Sequence, residues 1–286
     1  MKRLLLLVVL VYSVNLSPAS CFESQMVPIT LSGSGIDMSK KAFFIGDDLS
    51  FNSQGENSAF NVMKALLNQE SVKTQFGSAL SENLADYLHK QYTSDKYKIL
   101  NNHGFIIMQA RPSKANKATS MAINNFSNIT SSGGTTELMK DGKPVMEDDE
   151  PVYTLSGQGG APILLVMPWA KKGANFEADT TALANYYCNL SSSAAAFVAP
   201  VGMAWKQVYE DNNGLFAKLY AADDINPSVL GSYLYGLVLY ASITGETPQD
   251  IIWAPKGITA NERSYLQCVA AMVVGVSASP KCVFEG

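Results

Sequence analysis

Two acidic clusters hold the side chains of this chain that are best suited to chemistry. The first is the pair Asp47 and Asp48, and the second is formed by Asp223, Asp224 and Asn226. Carboxylates that come close together repel, which raises the pKa of some of them unless a cation or hydrogen-bond donors compensate. Such a rim could bind Ca²⁺, hydrogen-bond the hydroxyls of a glycan, or supply the paired carboxylates of glycoside chemistry. The simpler alternative is that some of these acids cap helices and face water.

The elements that must position these clusters are short apolar runs alternating with helical stretches. Buried parallel strands are predicted at Lys41–Gly46, Phe105–Gln109, Ile163–Met167 and Ala195–Val198, with a weaker strand near Val72–Phe76. Helices are predicted at Ala59–Asn68, Leu80–Tyr92, Thr180–Cys188, Met203–Tyr209 and Ser228–Ile243. This alternation predicts an α/β fold, a three-layer α/β/α sandwich with a central parallel sheet, as in flavodoxin-like proteins. In such sheets the ligand site forms outside the carboxyl ends of the strands.

The N-terminus has the pattern of a secretory signal peptide. Lys2 and Arg3 precede the apolar run Leu4–Val11, and small residues follow it. This stretch is too short to span a bilayer stably, and no later segment reaches the length of a transmembrane helix. We therefore predict a signal peptide at 1–19 and a secreted protein without a membrane span.

The remaining chain suits one large α/β domain, which we place at 39–286. Residues 113–160 are rich in Ser, Thr, Asn, Gly and acidic residues, with a polar run at 140–149. We interpret this range as an insertion packed over one rim of the sheet rather than as a separate domain.

Composition narrows the classes of partner. The net charge is −4, and Lys and Arg are scattered rather than clustered, so nucleic acid is excluded as a partner. The glycine pair Gly159 and Gly160 precedes a strand instead of following one, and it therefore lacks the context of a phosphate-binding loop. We predict no cofactor, and an extracellular glycan or protein as the partner.

Cysteines and sequons give two further expectations. Cys268 and Cys282 are close in sequence and could clip the C-terminal tail to the last helix, although sequence alone does not fix the pairing. Asn125, Asn128 and Asn189 each begin an N-x-S/T sequon. In a eukaryotic host these would mark exposed, glycosylated loops.

Several segments resemble, in the right order, the sequence blocks of the SGNH/GDSL hydrolases. Gly46–Leu49 is similar to the nucleophile block, in which a serine follows the first strand, and Asp48 stands at the serine position. Pro200–Trp205 is similar to the P-V-G-x-A-W segment of one branch of the family. Asp223–Leu234 resembles the final D-x-x-H-P-S block and the G-S-Y-L that follows it, with Asn226 at the histidine position. The resemblance implies an SGNH hydrolase-like fold over nearly the whole mature chain.

The resemblance also implies roles for three other residues. Gly77 stands at the position of the second-block glycine, whose backbone N–H helps to form an oxyanion hole. Gln109 is similar to a polar residue that ends a central strand and points into the site. Asp223 stands at the position of the acid that orients the histidine.

The substitutions remove the groups that ester hydrolysis requires in this family. Asp48 offers no hydroxyl nucleophile, and Asn226 cannot accept and return a proton near neutral pH. His89 and His103 are the only histidines of the chain, and we predict that both lie on the surface. Ser50 is interpreted as a turn or N-cap residue rather than as a displaced nucleophile.

The leading hypothesis is therefore a catalytically inactive SGNH-like protein that binds a glycan or a cation at the former active site, or has a structural role. The alternative is an active esterase or carbohydrate acetylesterase with an altered site. A third possibility is a component of an extracellular assembly whose interface is unrelated to that site. Trp169, Trp205 and Trp253 could form a sugar-stacking platform, but we expect them to pack in the core.

Overall fold

The computed structural model describes most of the chain from residue 41 onward and two short pieces before it. The described residues are 22, 30–31, 41–51, 55–69, 76–81, 83–92, 103–131, 135–137, 139–141, 143–144, 146–147, 150–151, 153–155, 161–276 and 281–284. The predicted signal peptide at 1–19, Cys21 and the pair Gly159 and Gly160 lie outside these residues.

Eleven strands are present in the described residues. In chain order they are β1 Lys41–Gly46, β2 Phe76–Leu80, β3 His103–Gln109, β4 Thr135–Glu137, β5 Met139–Lys140, β6 Lys143–Pro144, β7 Met146–Glu147, β8 Glu150–Pro151, β9 Tyr153–Leu155, β10 Ile163–Val166 and β11 Phe197–Ala199. Five of them form the central sheet in the order β2-β1-β3-β10-β11, and every neighbouring pair is parallel. This is the flavodoxin-like order, in which the direction of strand addition reverses between β1 and β3.

Nine α-helices surround this sheet in the part of the chain that the structure describes. They are α1 Asp48–Phe51, α2 Ala59–Gln69, α3 Leu84–Tyr92, α4 Lys117–Ser131, α5 Phe176–Ala194, α6 Val201–Asp211, α7 Asn213–Lys218, α8 Val229–Thr244 and α9 Ala260–Val274. Short 3₁₀ turns lie at Gly55–Asn57, Pro112–Lys114 and Pro248–Asp250. Helix α8 packs against α2 and α9, whereas α4 packs against α3 and α5. Because parallel crossovers are right-handed, reversing the direction of strand addition places these two groups on opposite faces of the sheet. The predicted three-layer α/β/α sandwich is confirmed.

The sequence explains why the core lies where it does. Every residue of β3 and β10 is buried, as expected for parallel strands covered by helices on both faces. Helix α8 is apolar all round and almost entirely buried, so it forms the centre of its layer. It begins at Ser228, whose Oγ accepts a hydrogen bond from the backbone N–H of Gly231, and it ends at Gly245 in the left-handed conformation.

Two glycines allow close packing at the starts of α6 and α8. A Cβ atom on Gly202 would collide with the carbonyl oxygen of Pro168, and one on Gly231 would collide with the carbonyl oxygen of Leu219. Both neighbours are backbone atoms, so neither can move aside cheaply. These glycines belong to two of the segments that resemble the SGNH/GDSL blocks.

The α/β alternation continues into the range predicted as an insertion. Helix α4 lies within 113–160, and its Ile123 and Phe126 are buried in the core. The short antiparallel pairs β4–β9, β5–β6 and β7–β8 follow it. At the other end, Phe22 is buried, and the backbone N–H of buried Leu31 donates to the carbonyl of Ser242 at 2.7 Å. Packed residues therefore precede position 39.

Several local expectations need correction. The second strand is Phe76–Leu80 rather than Val72–Phe76. The sequon residues are exposed but lie on helices instead of loops, with Asn125 and Asn128 on α4 and Asn189 on α5. His103 is not on the surface, because it is the buried first residue of β3.

The C-terminal clip is present. Cys268 of α9 is disulfide-bonded to Cys282, as the sequence suggested, and Cys188 of α5 is also disulfide-bonded. Within the described residues, no helix is both long enough and apolar enough to cross a membrane.

Candidate functional site

A cavity of about 330 Å³ lies at the carboxyl ends of the central strands. Asp48 follows β1 and Arg111 follows β3, so the cavity lies at the point where the strand order reverses. That is the position at which open α/β sheets bind ligands. The full lining is Asp48, Leu49, Arg111, Pro112, Ser113, Trp169, Lys171, Ile225 and Asn226.

Asp47 builds the turn that leads from β1 into α1. Its Oδ1 accepts a hydrogen bond from the backbone N–H of Leu49 at 3.0 Å, and its carbonyl accepts from Ser50 and Phe51 at 3.1 Å. Asp47 is therefore the residue that caps the short helix α1, whereas Ser50 was predicted to be a turn or N-cap residue. Ser50 itself is fully buried and does not line the cavity. Its hydroxyl cannot reach a substrate as a displaced nucleophile.

A buried chain of hydrogen bonds runs behind the cavity. Gln109 donates from Nε2 to Oδ1 of Asp47 at 3.1 Å, and its Oε1 accepts from the hydroxyl of Tyr235 at 2.8 Å. The three residues belong to the end of β3, the end of β1 and α8, so the chain ties two strands to the central helix. Gln109 was expected to point into the site, but its amide is used between Asp47 and Tyr235, and it does not line the cavity.

The carboxyl group of Asp47 is unusually basic. Burial and the neighbouring charge of Asp48 raise its pKa to about 7, against the opposing influence of the Leu49 N–H, Arg111 and Gln109. Its side chain is only 1% exposed, and its Oδ2 has no hydrogen-bond partner among the described residues. The nearest cation is Nε of Arg111, 3.8 Å from Oδ2. Asp47 is therefore partly protonated near neutral pH.

Asp48, which the resemblance places at the serine position, is held in an ion pair. Its Oδ1 contacts Nη2 of Arg111, and both side chains are partly exposed at the cavity. The guanidinium carries a permanent positive charge and pairs with this carboxylate. A carboxylate that is paired with a guanidinium in this way lacks the hydroxyl group of a serine nucleophile.

Across the cavity, Asp223 holds Asn226 in place. Oδ1 of Asp223 accepts hydrogen bonds from the backbone N–H groups of Ile225 at 3.0 Å and Asn226 at 2.8 Å. Its Oδ2 accepts from Nδ2 of Asn226 at 2.5 Å. The bond from the Ile225 N–H, followed by those from Asn226, lowers the pKa of Asp223. Asn226 is thus held in place by Asp223, but an amide cannot act as a base at neutral pH.

The predicted rim of acids is not one cluster. Asp224 has a left-handed backbone, with φ of 59°, and its carboxylate pairs with Nζ of Lys172 at 2.5 Å. Asp47 is buried, whereas Asp48 and Asn226 line the cavity. Among the residues described, no three His, Cys, Asp or Glu side chains are grouped so that they could hold a metal ion. The separate partners of these acids argue against the predicted cation site.

Gly77 lies away from the cavity. It is the second residue of β2 and pairs with Phe43 of β1, three residues before the strand ends. At about 3.3 Å per residue this is about 10 Å from the rim. Its backbone N–H cannot contribute to an oxyanion hole there, and the expectation failed because β2 lies further along the chain than predicted.

His103 does not supply an imidazole to the cavity. His103 is at the amino end of β3, where its ring packs edge-on against Phe43 with centroids 5.3 Å apart. The opposite end of this strand, at Gln109, is about 20 Å away at the usual rise per residue. His89 lies on α3 as predicted.

Sequence reasoning missed Arg111 and Tyr235 and undervalued Trp169. Trp169 is buried and stacks on Trp205 at 4.6 Å, so the expected packing role is confirmed for both rings. Its Nε1 also donates to the carbonyl of Ile225 at 2.8 Å, which fixes the loop that carries Asn226. The available signal was position, because Arg111 and Trp169 both follow closely on strand ends.

Comparison with solved structures decides the fold. The structure is similar to a DUF4886 family protein from Bacteroides uniformis, with a TM-score of 0.55 and 9% identity over 84% of this chain and 97% of the other. It is also similar to a catalytic mutant of an acetylxylan esterase from Geobacillus stearothermophilus, with a TM-score of 0.50 and 11% identity over 71% and 93% of the two chains.

The chain has an SGNH hydrolase-like fold. At these identities the likeness concerns the fold alone. No protein family model and no curated protein sequence matches the chain. The SGNH-like fold that the sequence blocks predicted is confirmed. This core supplies the scaffold on which the cavity residues are arranged.

Proposed function

We propose that this protein is a secreted, catalytically inactive SGNH-fold protein that binds a glycan in the cavity between Asp48 and Asn226. One observation carries the proposal: a carboxylate neutralised by Arg111 faces an amide held by Asp223. Triad hydrolysis of esters needs a hydroxyl nucleophile with an imidazole beside it. The lining has one hydroxyl, that of Ser113, and no histidine accompanies it.

The composition of the cavity suits a polar, neutral ligand. Leu49, Ile225 and the edge of Trp169 supply apolar surface, while Arg111 and Lys171 supply donors beside the acidic and amide groups. Its volume of about 330 Å³ is in the range of small-ligand sites. The acetylxylan esterase of similar fold acts on a carbohydrate ester, which supports a carbohydrate as the ligand class.

Secretion and glycosylation are part of the proposal. The N-terminal pattern is that of a signal peptide, and the disulfide between Cys268 and Cys282 suits an oxidising compartment. In a eukaryotic host, exposed Asn125, Asn128 and Asn189 would carry glycans on two adjacent helices, α4 and α5.

Restoring the missing groups tests the inactivity. The secreted protein and an Asp48→Ser/Asn226→His variant are compared on para-nitrophenyl acetate and acetylated xylan. We expect no turnover by the unaltered protein and measurable turnover by the variant, because Asp223 would orient the new imidazole. Adding Asp223→Ala should reduce that turnover by about 100-fold or more, since an unoriented imidazole is a poor base. Turnover by the unaltered protein would contradict the proposal.

Binding is tested with two isoleucines. Ile225 lines the cavity and is 43% exposed, whereas Ile252 is 83% exposed and lies outside the lining. Titration calorimetry with xylo-, cello- and chito-oligosaccharides measures the affinity. We expect Ile225→Asp to weaken binding at least about tenfold by removing apolar wall, and Ile252→Asp to leave it unchanged. Equal losses in both variants would place the ligand elsewhere.

A second candidate function is ester hydrolysis by an altered site. The raised pKa of Asp47, about 7, favours it, because general acids and bases work best with a pKa near the operating pH. Asp47 is buried and does not line the cavity, which argues for the binding function instead. Hydrolysis that disappears in both Asp47→Asn and Asp48→Ala would support this candidate.

A further inference from the structure

A second cavity of about 320 Å³ adjoins the first. The two share Pro112, Ser113 and Lys171 as lining residues, so they meet across the loops that follow β3 and β10. The remaining walls of the second cavity are Ala115, Ala170 and one face of helix α5. Nothing in the SGNH/GDSL-like blocks of the sequence points to this space.

Helix α5 gives the second cavity its shape. Asp179, Ala182, Leu183 and Tyr186 follow the spacing of a single helical face, and all four line the cavity. Ala182 is the small residue in the middle of this face, and its short side chain leaves the space open. The ring of Tyr186 bounds the cavity at the last of these positions, and its hydroxyl donates to the carbonyl of Asn116 at 3.3 Å.

The walls present donors and acceptors around apolar surface. Asp179 is an acceptor, Lys171 is a donor, and the hydroxyl of Ser113 is both. Leu183 and the ring of Tyr186 offer apolar contact between them. This mixture suits a neutral ring that carries several hydroxyl groups, because each hydroxyl finds a partner while the ring face rests on apolar atoms.

We infer that the two cavities form one groove that binds a linear oligosaccharide, with one sugar unit in each and Lys171 and Ser113 between them. This inference rests on the proposed function. The groove runs across the carboxyl ends of β1, β3 and β10, which are adjacent in the sheet, and continues to α5. At about 4.8 Å between neighbouring strands, the sheet portion alone spans about 10 Å. The ligand is therefore an elongated chain rather than a single small ester.

The test fills the second cavity without touching the first. Ala182→Leu adds bulk on an exposed helical face, and Ala178→Leu is the matched control on the same helix, outside the lining. Calorimetry with xylo-, cello- and chito-oligosaccharides of one to four units gives affinity against length. We expect at least a tenfold gain from one unit to two or more in the unaltered protein and in Ala178→Leu. Ala182→Leu should abolish that gain and leave the affinity for one unit unchanged.

The outcomes separate this inference from the proposed function. Binding that responds to Ile225→Asp but not to ligand length, or a length gain that survives Ala182→Leu, would overturn the groove and leave the proposed function standing. If no saccharide of any length binds, both are wrong. Tetra-alanine serves as a peptide probe, and Ala182-dependent binding of it without a saccharide length gain would overturn the carbohydrate assignment.

Discussion

Asp47 and Asp223 stand on opposite sides of the same site, and their pKa values move in opposite directions. Asp47 is 1% exposed, and burial together with the charge of Asp48 raises its pKa to about 7. Asp223 is exposed and accepts three hydrogen bonds, which lower its pKa. One aspartate is thus kept partly protonated by burial, and the other is kept ionised by hydrogen-bond donors.

The site therefore has two halves: the half around Asp47 stabilises the fold, and the half around Asp223 orients a cavity residue. Asp47 belongs to a buried chain through Gln109 to Tyr235, which ties β1 and β3 to α8. Asp223 organises only the short loop that presents Asn226. The half that contains Asp47 should therefore matter most for stability, and the half that contains Asp223 for the position of a cavity residue.

The largest effect is expected from Gln109→Leu. This change removes the donor to Asp47 and the acceptor for Tyr235 at once, and both partners stay buried. The Tyr235 hydroxyl loses its acceptor and Oδ1 of Asp47 keeps only the Leu49 N–H, so the free energy of unfolding should fall by about 2 to 4 kcal/mol. Urea unfolding measures the loss. Tyr235→Phe removes one hydroxyl and should lower the free energy of unfolding by about 1 kcal/mol. Equal losses in both variants would show that the hydrogen-bonded side chains of Asp47, Gln109 and Tyr235 do not act as a unit.

Asp47→Asn should give the next effect, and that effect should depend on pH. The folded pKa of about 7 lies above the ordinary value of 3.8, so between these pH values the folded protein holds a proton that the unfolded chain releases. The stabilisation is complete below about pH 4 and is lost as the pH rises through about 7, at about 1.4 kcal/mol per pH unit. We expect the asparagine variant and the unaltered protein to unfold nearly alike at pH 4 and to diverge as the pH rises.

At pH 8 the asparagine variant should be the more stable of the two, by up to about 4 kcal/mol, because it buries no charge. Urea midpoints taken from pH 4 to pH 9 give both profiles. Parallel profiles would mean that Asp47 does not titrate in this range.

The smallest effect is expected from Asp223→Ala. The lost hydrogen bonds are exposed and act like a helix cap, so the free energy of unfolding should fall by about 1 kcal/mol or less at pH 7. Because the folded pKa is lowered, this contribution is present above the unfolded pKa and disappears as the pH falls through the folded value. Asp223→Asn, which keeps one acceptor oxygen, should recover part of the loss in thermal unfolding. A loss as large as that of Gln109→Leu would erase the contrast between the halves.

The central fold could be predicted from the sequence because buried parallel strands are continuous apolar runs. Lys41–Gly46 was placed correctly on this basis. The strand Phe76–Leu80 was misplaced, since it contains glycine, serine and alanine, which have low strand propensity, and it lies at the edge of the sheet. Because this strand was misplaced, Gly77 was predicted at the carboxyl end of the sheet, where it does not lie.

The partners within the site were harder to predict. Asp48 was identified as a candidate, but its pairing with Arg111 depends on β1 and β3 being neighbours in the sheet. Tyr235 lies in an apolar helix and carries no local sign that its hydroxyl meets Gln109 of a distant strand. Spacing along the chain cannot report contacts that only the sheet order creates.

Gly202 and Gly231 are required by close backbone packing, yet they lie in the very segments by which the chain resembles the SGNH/GDSL hydrolases. These two glycines, which help to make the segments recognisable, are therefore explained by how α6 and α8 pack against neighbouring backbone. A search pattern built on them sorts chains by shape, whatever residues stand at positions 48 and 226.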